Sequence, residues 1–421
     1  MPSVMSLFTK RAINGVALNA FYLGILQAFN MLLPLLTIPY LVRVLGPSSF
    51  GVLAYSQVVF MYLLTICDYG FNLSSTRLIA INKNNSTRIQ EILSSVIGVK
   101  ISLFVIVTII TLPLVYYFVN DALQLRLYLW SFVFLFFQTL FPIFYFQGIE
   151  DMKPIVFINA FVRILSTIFI LLFIKSEYDL PFVIIANSLG AFLASFAAYI
   201  LILGKRGVRL IVPKYSSMLE QLKEGFDVFI SNFLGSILAN GGLFVLGIYQ
   251  SASTVGYYSA IDKIVKAGMS MYQPISQALF PFISSLFNQN KENGTKTLIR
   301  IGLVVSVVLF VGIIILCFTS NSLLVFIYGT GYEELGYILV CLACWAAFSI
   351  INNIIGIQFL IGSGKSDIYR KAFVLAALLM GSLFWVIKLY SINGLLFITV
   401  MGEVFLTIIM ILFIKKSVYR L

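Results

Sequence analysis

The chain reads as an all-α integral membrane protein: twelve transmembrane helices in two parallel six-helix bundles around a central cavity. Three observations predict this. Of the 421 residues, 60% are hydrophobic and only 10% charged, with a mean hydropathy of +1.02, too little polar content to cover a water-soluble globule. Uncharged runs recur from end to end at the length of about 20 apolar residues that a spanning helix needs. Similar turn residues recur at matching places in the two halves.

Taken in order, the first span covers about residues 14–40, and Pro34 and Pro39 predict a bend in its outer half. The second starts at Phe50 and reaches the inner side near Arg77. Residues 82–91 read as a polar inner loop, followed by a third span to Phe118 and a fourth over 125–147. The fifth and sixth cover 154–174 and 180–203. Residues 204–224 form the longest polar connection, rich in Lys and Arg, so the chain divides into an N-terminal six-helix bundle (1–204), a cytoplasmic linker (205–224) and a C-terminal six-helix bundle (225–421). The remaining spans fall at 225–249, 254–287, 297–318, 335–362, 368–387 and 394–414. No connection is long enough to hold a soluble domain.

The net charge of +12 sorts by side. With both termini in the cytoplasm, most Lys and Arg fall on inner segments, from Lys10 and Arg11 to Lys415, Lys416 and Arg420, with Lys205, Arg206, Arg209, Lys214 and Lys223 in the linker. Only Arg126, Lys175 and Lys388 fall outside. That asymmetry is the positive-inside rule, so the basic balance does not call for nucleic acid.

The repeat is carried by Gly46-Pro-Ser-Ser-Phe-Gly51, whose counterpart is Ser251-Ala-Ser-Thr-Val-Gly256; each joins the first and second spans of its half. A weaker echo pairs 146–153 with 360–367. Six being even, both halves enter from the same side, and the repeat is parallel.

Several chemistries are excluded. There is no histidine, and no extended aqueous loop carries paired carboxylates, so no catalytic constellation forms and no cofactor is called for. Cys341-x-x-Cys344 lacks a second pair; with Cys67 and Cys317 it sits in apolar runs and reads as packing. Gly362-Ser-Gly-Lys-Ser366 resembles the end of a phosphate-binding loop, but Phe359 stands where the motif needs glycine, and a helix precedes it.

The charges inside the spans are the informative residues. Lys100 lies about 14 Å along its helix from Glu91, and Arg163 about 14 Å from Pro154. Asp262 and Lys266 share a face of the eighth span beside Lys263, while Arg43 closes the first span. Asp68 lies in the inner part of the second and Glu403 near the middle of the twelfth. A lone Arg, Lys or Asp at a helix centre costs roughly 2.5–3.5 kcal/mol, so such groups face one another or a watery cavity. Pairing of Asp262 with Lys266, and snorkelling of Arg43 and Lys100, are the structural alternatives. The positive excess within the spans implies an anionic cargo.

The run from Pro34 to Gly51, Pro-Leu-Leu-Thr-Ile-Pro-Tyr-Leu-Val-Arg-Val-Leu-Gly-Pro-Ser-Ser-Phe-Gly, followed by Tyr55-Ser and Asp68-Tyr-Gly70, resembles the N-terminal signature of bacterial polysaccharide-export flippases. These are of the Wzx O-antigen type, within the MOP superfamily that also contains the MATE drug exporters. Span number, the two halves and Phe146-Gln-Gly148 extend the likeness along the chain, more weakly in the second half.

The resemblance implies a MATE-like fold in the bacterial inner membrane and translocation of an undecaprenyl-diphosphate-linked oligosaccharide by alternating access. Its partners would be membrane lipids, a polysaccharide polymerase and chain-length regulator, and H+ or Na+ as coupling ion. On that reading Lys100, Arg163, Lys263, Lys266, Arg43 and Arg77 are the candidate cargo-binding residues, and Asp68, Asp262 and Glu403 the candidate ion-coupling ones. A multidrug exporter of the same superfamily and a non-transporting scaffold of the polysaccharide machinery are the rival readings.

Overall fold

The structure, a computed structural model, describes residues 10–205 and 207–418. Arg206, Arg420 and the extreme termini, whose cytoplasmic placement the charge pattern predicts, lie outside the described residues. Everything described is helix and short connection. In order these are α1 (Lys10–Asp68), α2 (Phe71–Ile81), α3 (Ser86–Phe118), α4 (Ala122–Leu140), α5 (Ile143–Gly148), α6 (Lys153–Phe173) and α7 (Leu180–Ile200). After them come α8 (Tyr215–Tyr249), α9 (Ala252–Gln289), α10 (Lys291–Tyr328), α11 (Gly336–Asn353), α12 (Ser366–Ser382) and α13 (Trp385–Val418). Among the described residues nine helical stretches are long and apolar enough to cross a membrane. Dividing the first at Gly46 and adding α9 and α12 is consistent with the predicted twelve.

Local chemistry sets the breaks. The first helix continues through Pro34 and Pro39, and the interruption in α1 falls at Gly46 (φ 71, ψ 169), in the turn predicted between the first and second spans. Glycine tolerates that backbone, and Pro47 behind it suits the first position of a new helix. The polar loop predicted over 82–91 shrinks to residues 82–85, because Asn85 accepts a hydrogen bond from Arg88 N at 3.0 Å and so starts α3 at Ser86. The fourth span, read as continuous, is cut at Phe141-Pro142 between α4 and α5. The seventh begins at Tyr215, ten residues before the predicted start. Its first turns are held to α3 and α2 by the Arg88–Glu220 ion pair and by Ser75 donating to buried Gln221 at 3.4 Å.

The chain divides into two compact units, one of Met1–Thr37 and Ser56–Ala239 and a second of Ile38–Tyr55 and Asn240–Leu421. The first has two apolar cores. One joins Phe71, Ile79, Leu93, Val96, Phe146 and Ile155; the other joins Phe60, Cys67, Val107, Phe132 and Leu135. The second unit packs Leu360, Ala372, Leu406 and Met410 in one cluster and Ile283, Phe287, Leu298 and Ile354 in another. Large apolar side chains stay outside: Ile106, Ile109 and Ile110 on α3, and Val304, Val307, Val308 and Phe310 on α10. Contiguous apolar surface on this scale suits lipid contact.

Within the second unit the two repeated turns touch. A Cβ on Gly51 would collide with the carbonyl oxygen of Ala252, and one on Gly256 with that of Pro47. Each glycine thus packs on the backbone four residues before the other, with no side chain between them.

Candidate functional site

Two helix interruptions in the first unit place charged groups together. α1 ends at Asp68, and Tyr69 and Gly70 take positive φ (45 and 75) before α2 sets off. Gly70 is required twice over, since a Cβ there would also stand 2.8 Å from Val228 Cβ. α4 ends at Leu140 because Pro142 has no N–H to continue the ladder. Ile143 N turns to the Phe141 carbonyl at 3.1 Å, leaving the Thr139 carbonyl without its helical partner.

Lys100 fills that gap. Its ammonium donates to Thr139 O at 2.9 Å and to Asp68 Oδ1 at 2.7 Å, and lies 5.5 Å from the Phe144 ring centre. The lysine side chain is 1% exposed and that of Asp68 23%. A cation beside exposed carbonyls at a helix C-terminus is doubly favoured there. Lys100, a predicted cargo contact, and Asp68, a predicted coupling group, are therefore partners in one ion pair.

Asp68 also opens on a cavity of about 220 Å³, lined by Asp68, Asn72, Gln138, Phe141, Ile143, Asn159 and Arg163. Asn72 Nδ2 donates to Asp68 Oδ2 at 3.4 Å while its Oδ1 is buried without a partner. Arg163 comes from α6, is exposed, and among the described residues makes no ion pair or hydrogen bond. One free guanidinium, one paired carboxylate and three side-chain amides surround a space bounded otherwise by Phe141 and Ile143. Such a lining can accept an anion at Arg163 and exchange hydrogen bonds with hydroxyls along the amides.

The other candidates lie elsewhere. Arg43 donates from Nε to Ile327 O at 2.9 Å and from a terminal nitrogen to Phe326 O, capping the last carbonyls of α10. Lys266 pairs with Asp262 at 2.8 Å, the pairing weighed from their spacing. Lys263 stands 5.2 Å over the Phe50 ring. Arg77 projects from α2 and is exposed. Glu403 lies on α13, where its Oε2 accepts from Asn352 Nδ2 at 2.6 Å.

Sequence reasoning passed over Asn72, Gln138 and Asn159. A signal existed for one of them: Asn159 precedes Arg163 by four residues, which is one face of a helix, whereas Asn72 lies across the break at Tyr69-Gly70 from Asp68. Gln138 sits alone in an aromatic run and carried no such mark.

A family model described as "Polysaccharide biosynthesis protein" matches residues 16–287. Two curated relatives bear the name "Putative O-antigen transporter". The one from Escherichia coli (strain K12) is 28% identical over 401 residues, covering 95% of this chain and 96% of that protein. The one from Shigella dysenteriae is 26% identical over 402 residues, covering 95% and 99%. Among solved structures, an inward-facing multidrug resistance MATE family transporter of the MOP superfamily superposes with a TM-score of 0.69 at 14% identity, over 92% of this chain and 95% of that one. The lipid II flippase MurJ in an inward closed conformation gives 0.69 at 15% identity, over 95% and 87%. At such identities the structural likeness establishes a MATE-like fold.

Proposed function

Because the chain belongs to the polysaccharide biosynthesis protein family, we propose that it is a flippase. Its cargo is an undecaprenyl-diphosphate-linked oligosaccharide repeat unit of the O-antigen type, moved from the cytoplasmic to the periplasmic leaflet by alternating access. The observation that carries this reading is Arg163, an unpaired guanidinium in a span, facing a cavity lined with amides. Each sugar hydroxyl stripped of water without a new partner costs about 4–8 kcal/mol against alkane. A polar, cation-bearing cavity offers the replacement partners, while the lipid tail stays in the bilayer.

The rest of the reading follows from that cargo. The protein is a multi-pass inner-membrane protein with both termini cytoplasmic, built as bundles 1–204 and 225–421 about a linker at 205–224. It works beside a polymerase and chain-length regulator and is driven by H+ or Na+. Lys100 contributes through Asp68 and the cavity wall, and Arg77, Lys263, Lys266 and Arg43 add positive charge elsewhere. It moves its cargo without making or breaking bonds in it. A drug exporter of cations fits poorly, since cationic cargo would meet the free charge of Arg163.

In cells whose own flippase gene is replaced by this one, Arg163→Ala is expected to lower surface polysaccharide at least tenfold at equal membrane abundance. Arg163→Lys, which keeps the charge but loses the planar fork, is expected to fall between the two. Full surface polymer in Arg163→Ala cells would count decisively against the reading.

A further inference from the structure

Asp227 stands exposed near the start of the seventh span; three further carboxylates lie well inside the spans, and their surroundings differ in kind. Asp68 meets the Lys100 ammonium at 2.7 Å and Asp262 meets Lys266 at 2.8 Å. Among the described residues Glu403 has no ion pair. Its side-chain partner is a neutral donor, Asn352 Nδ2, at 2.6 Å from Oε2, with Ser349 and Trp345, on the same helix as Asn352, as polar neighbours. Asn352 is 4% exposed and firmly held, since its Nδ2 also reaches the Glu403 carbonyl oxygen at 2.9 Å and Thr407 Oγ1 donates to its Oδ1 at 2.6 Å.

Glu403 also sits deep. It lies about 18 Å past the break at Ser391, in a helical stretch of about 40 Å. Among the described residues, the helices packed on α13 bring it no counter-charge. From α11 come Trp345, Ser349 and Asn352, while the thiols of Cys341 and Cys344 interact with Tyr337 and Cys317 instead. From α12 the phenol of Tyr369 lies near the carboxyl; Asp367 and Arg370 pair with each other at 2.9 Å in the exposed first turn, and Lys371 beside them is exposed. The π-helical turn Ile354–Ile361 contributes neutral Gln358, whose amide donates to Ser276. On α13 itself, Lys415 and Lys416 are exposed and about 18 Å further along.

We propose that Glu403 is the carboxylate that takes up and releases the coupling proton, while Asp68 and Asp262 serve as ion-pair partners of their lysines. This rests on the flippase reading and narrows its coupling ion to H+. A carboxylate at this depth with no cation is costly when charged, yet the Asn352 amide holds one of its oxygens in place. Protonation adds one O–H at Glu403 and removes a charge from mid-span without breaking an ion pair. At Asp68 or Asp262 the same proton would leave a lysine ammonium uncompensated. Asn352 carries the change from α13 to α11, because it bonds the carboxylate, the Glu403 carbonyl and Thr407 at once.

The adjacent indole supplies a reporter. In lipid nanodiscs, a Trp130→Phe, Trp385→Phe protein leaves Trp345 as the lone tryptophan. Its emission is expected to follow a single sigmoid with pH, accompanied by an infrared carbonyl band of a protonated carboxyl on the acid side. Glu403→Gln is expected to abolish both, and Glu403→Asp to keep both with a displaced midpoint. A titration unchanged in Glu403→Gln, or a flat response in the parent, overturns the assignment. So does a midpoint that moves with sodium at constant ionic strength, which would make the group a metal-cation site.

In cells, Glu403→Gln is expected to lower surface polysaccharide at least tenfold while the protein stays folded in the membrane, and unimpaired export overturns the coupling role. Export is lost in the parent protein itself if the flippase reading fails, whereas the Trp345 titration does not depend on cargo, so the two failures are distinguishable.

Discussion

Gly51→Ala and Gly256→Ala are each expected to abolish stable, monodisperse protein in detergent, whereas Gly268→Ala and Gly312→Ala leave it intact. A Cβ on Gly51 would land on the Ala252 carbonyl and stand 2.8 Å from Gly256 N; one on Gly256 would land on the Pro47 carbonyl and stand 3.1 Å from Gly51 N. What blocks the added carbon is backbone, which cannot rotate away as a side-chain end does. Either the crossing of α9 with the segment after Gly46 opens or the helix ends unwind. Membrane helices lacking a hydrophobic drive toward one another rely on such close approach. Gly268 and Gly312 meet nothing within 4 Å, and alanine there gains roughly 0.5–1 kcal/mol of helix preference. Size-exclusion profiles and melting curves of the four variants check this. Equal behaviour of all four would show that the close crossing does not hold the second unit together.

That crossing shows how legibility divides. The turns Gly46–Gly51 and Ser251–Gly256 were recognisable as counterparts because glycine, proline and serine recur in step, and the spans between them because hydrocarbon demands uninterrupted apolar runs. Which residues meet across spans was not legible. Contact depends on each helix's rotation about its axis, and apolar faces against lipid and against protein look alike in sequence. Lys100 and Asp68 stood out singly, yet their pairing needed the cut at Phe141-Pro142, hidden in an uncharged run. Asn352, the partner of Glu403, was lost in the same way. Arg43 lies within the run that carries the family resemblance but serves as a cap for α10 in this structure, since a cation at a span's end finds carbonyls as readily as cargo.

Asp68→Ala is expected to destabilise the first unit by about 3–5 kcal/mol, the cost of leaving a buried charge without its partner. Lys100→Met should cost distinctly less. The asymmetry comes from exposure: the Lys100 side chain is 1% exposed, whereas that of Asp68 is 23% exposed and borders the cavity with Arg163. With Asp68 gone, the ammonium keeps only the Thr139 carbonyl and the face of Phe144. With Lys100 gone, the carboxylate keeps Asn72, hydration through the cavity and a cation on the opposite wall. Asp68→Ala combined with Lys100→Met should lose less than the two single losses added, because the uncompensated charge disappears; the coupling between the two sites is expected at about 0.5–3 kcal/mol. Unfolding free energies measured by steric trapping in bicelles give the cycle directly. Equal losses for the two single variants, or additive losses in the double, would refute the pair as the element that holds α1, α3 and the end of α4 in register. Function should split the other way. The Lys100→Met protein leaves Asp68 free to attract Arg163, so cargo loses its cation. Export is then expected to fall in a variant that remains folded.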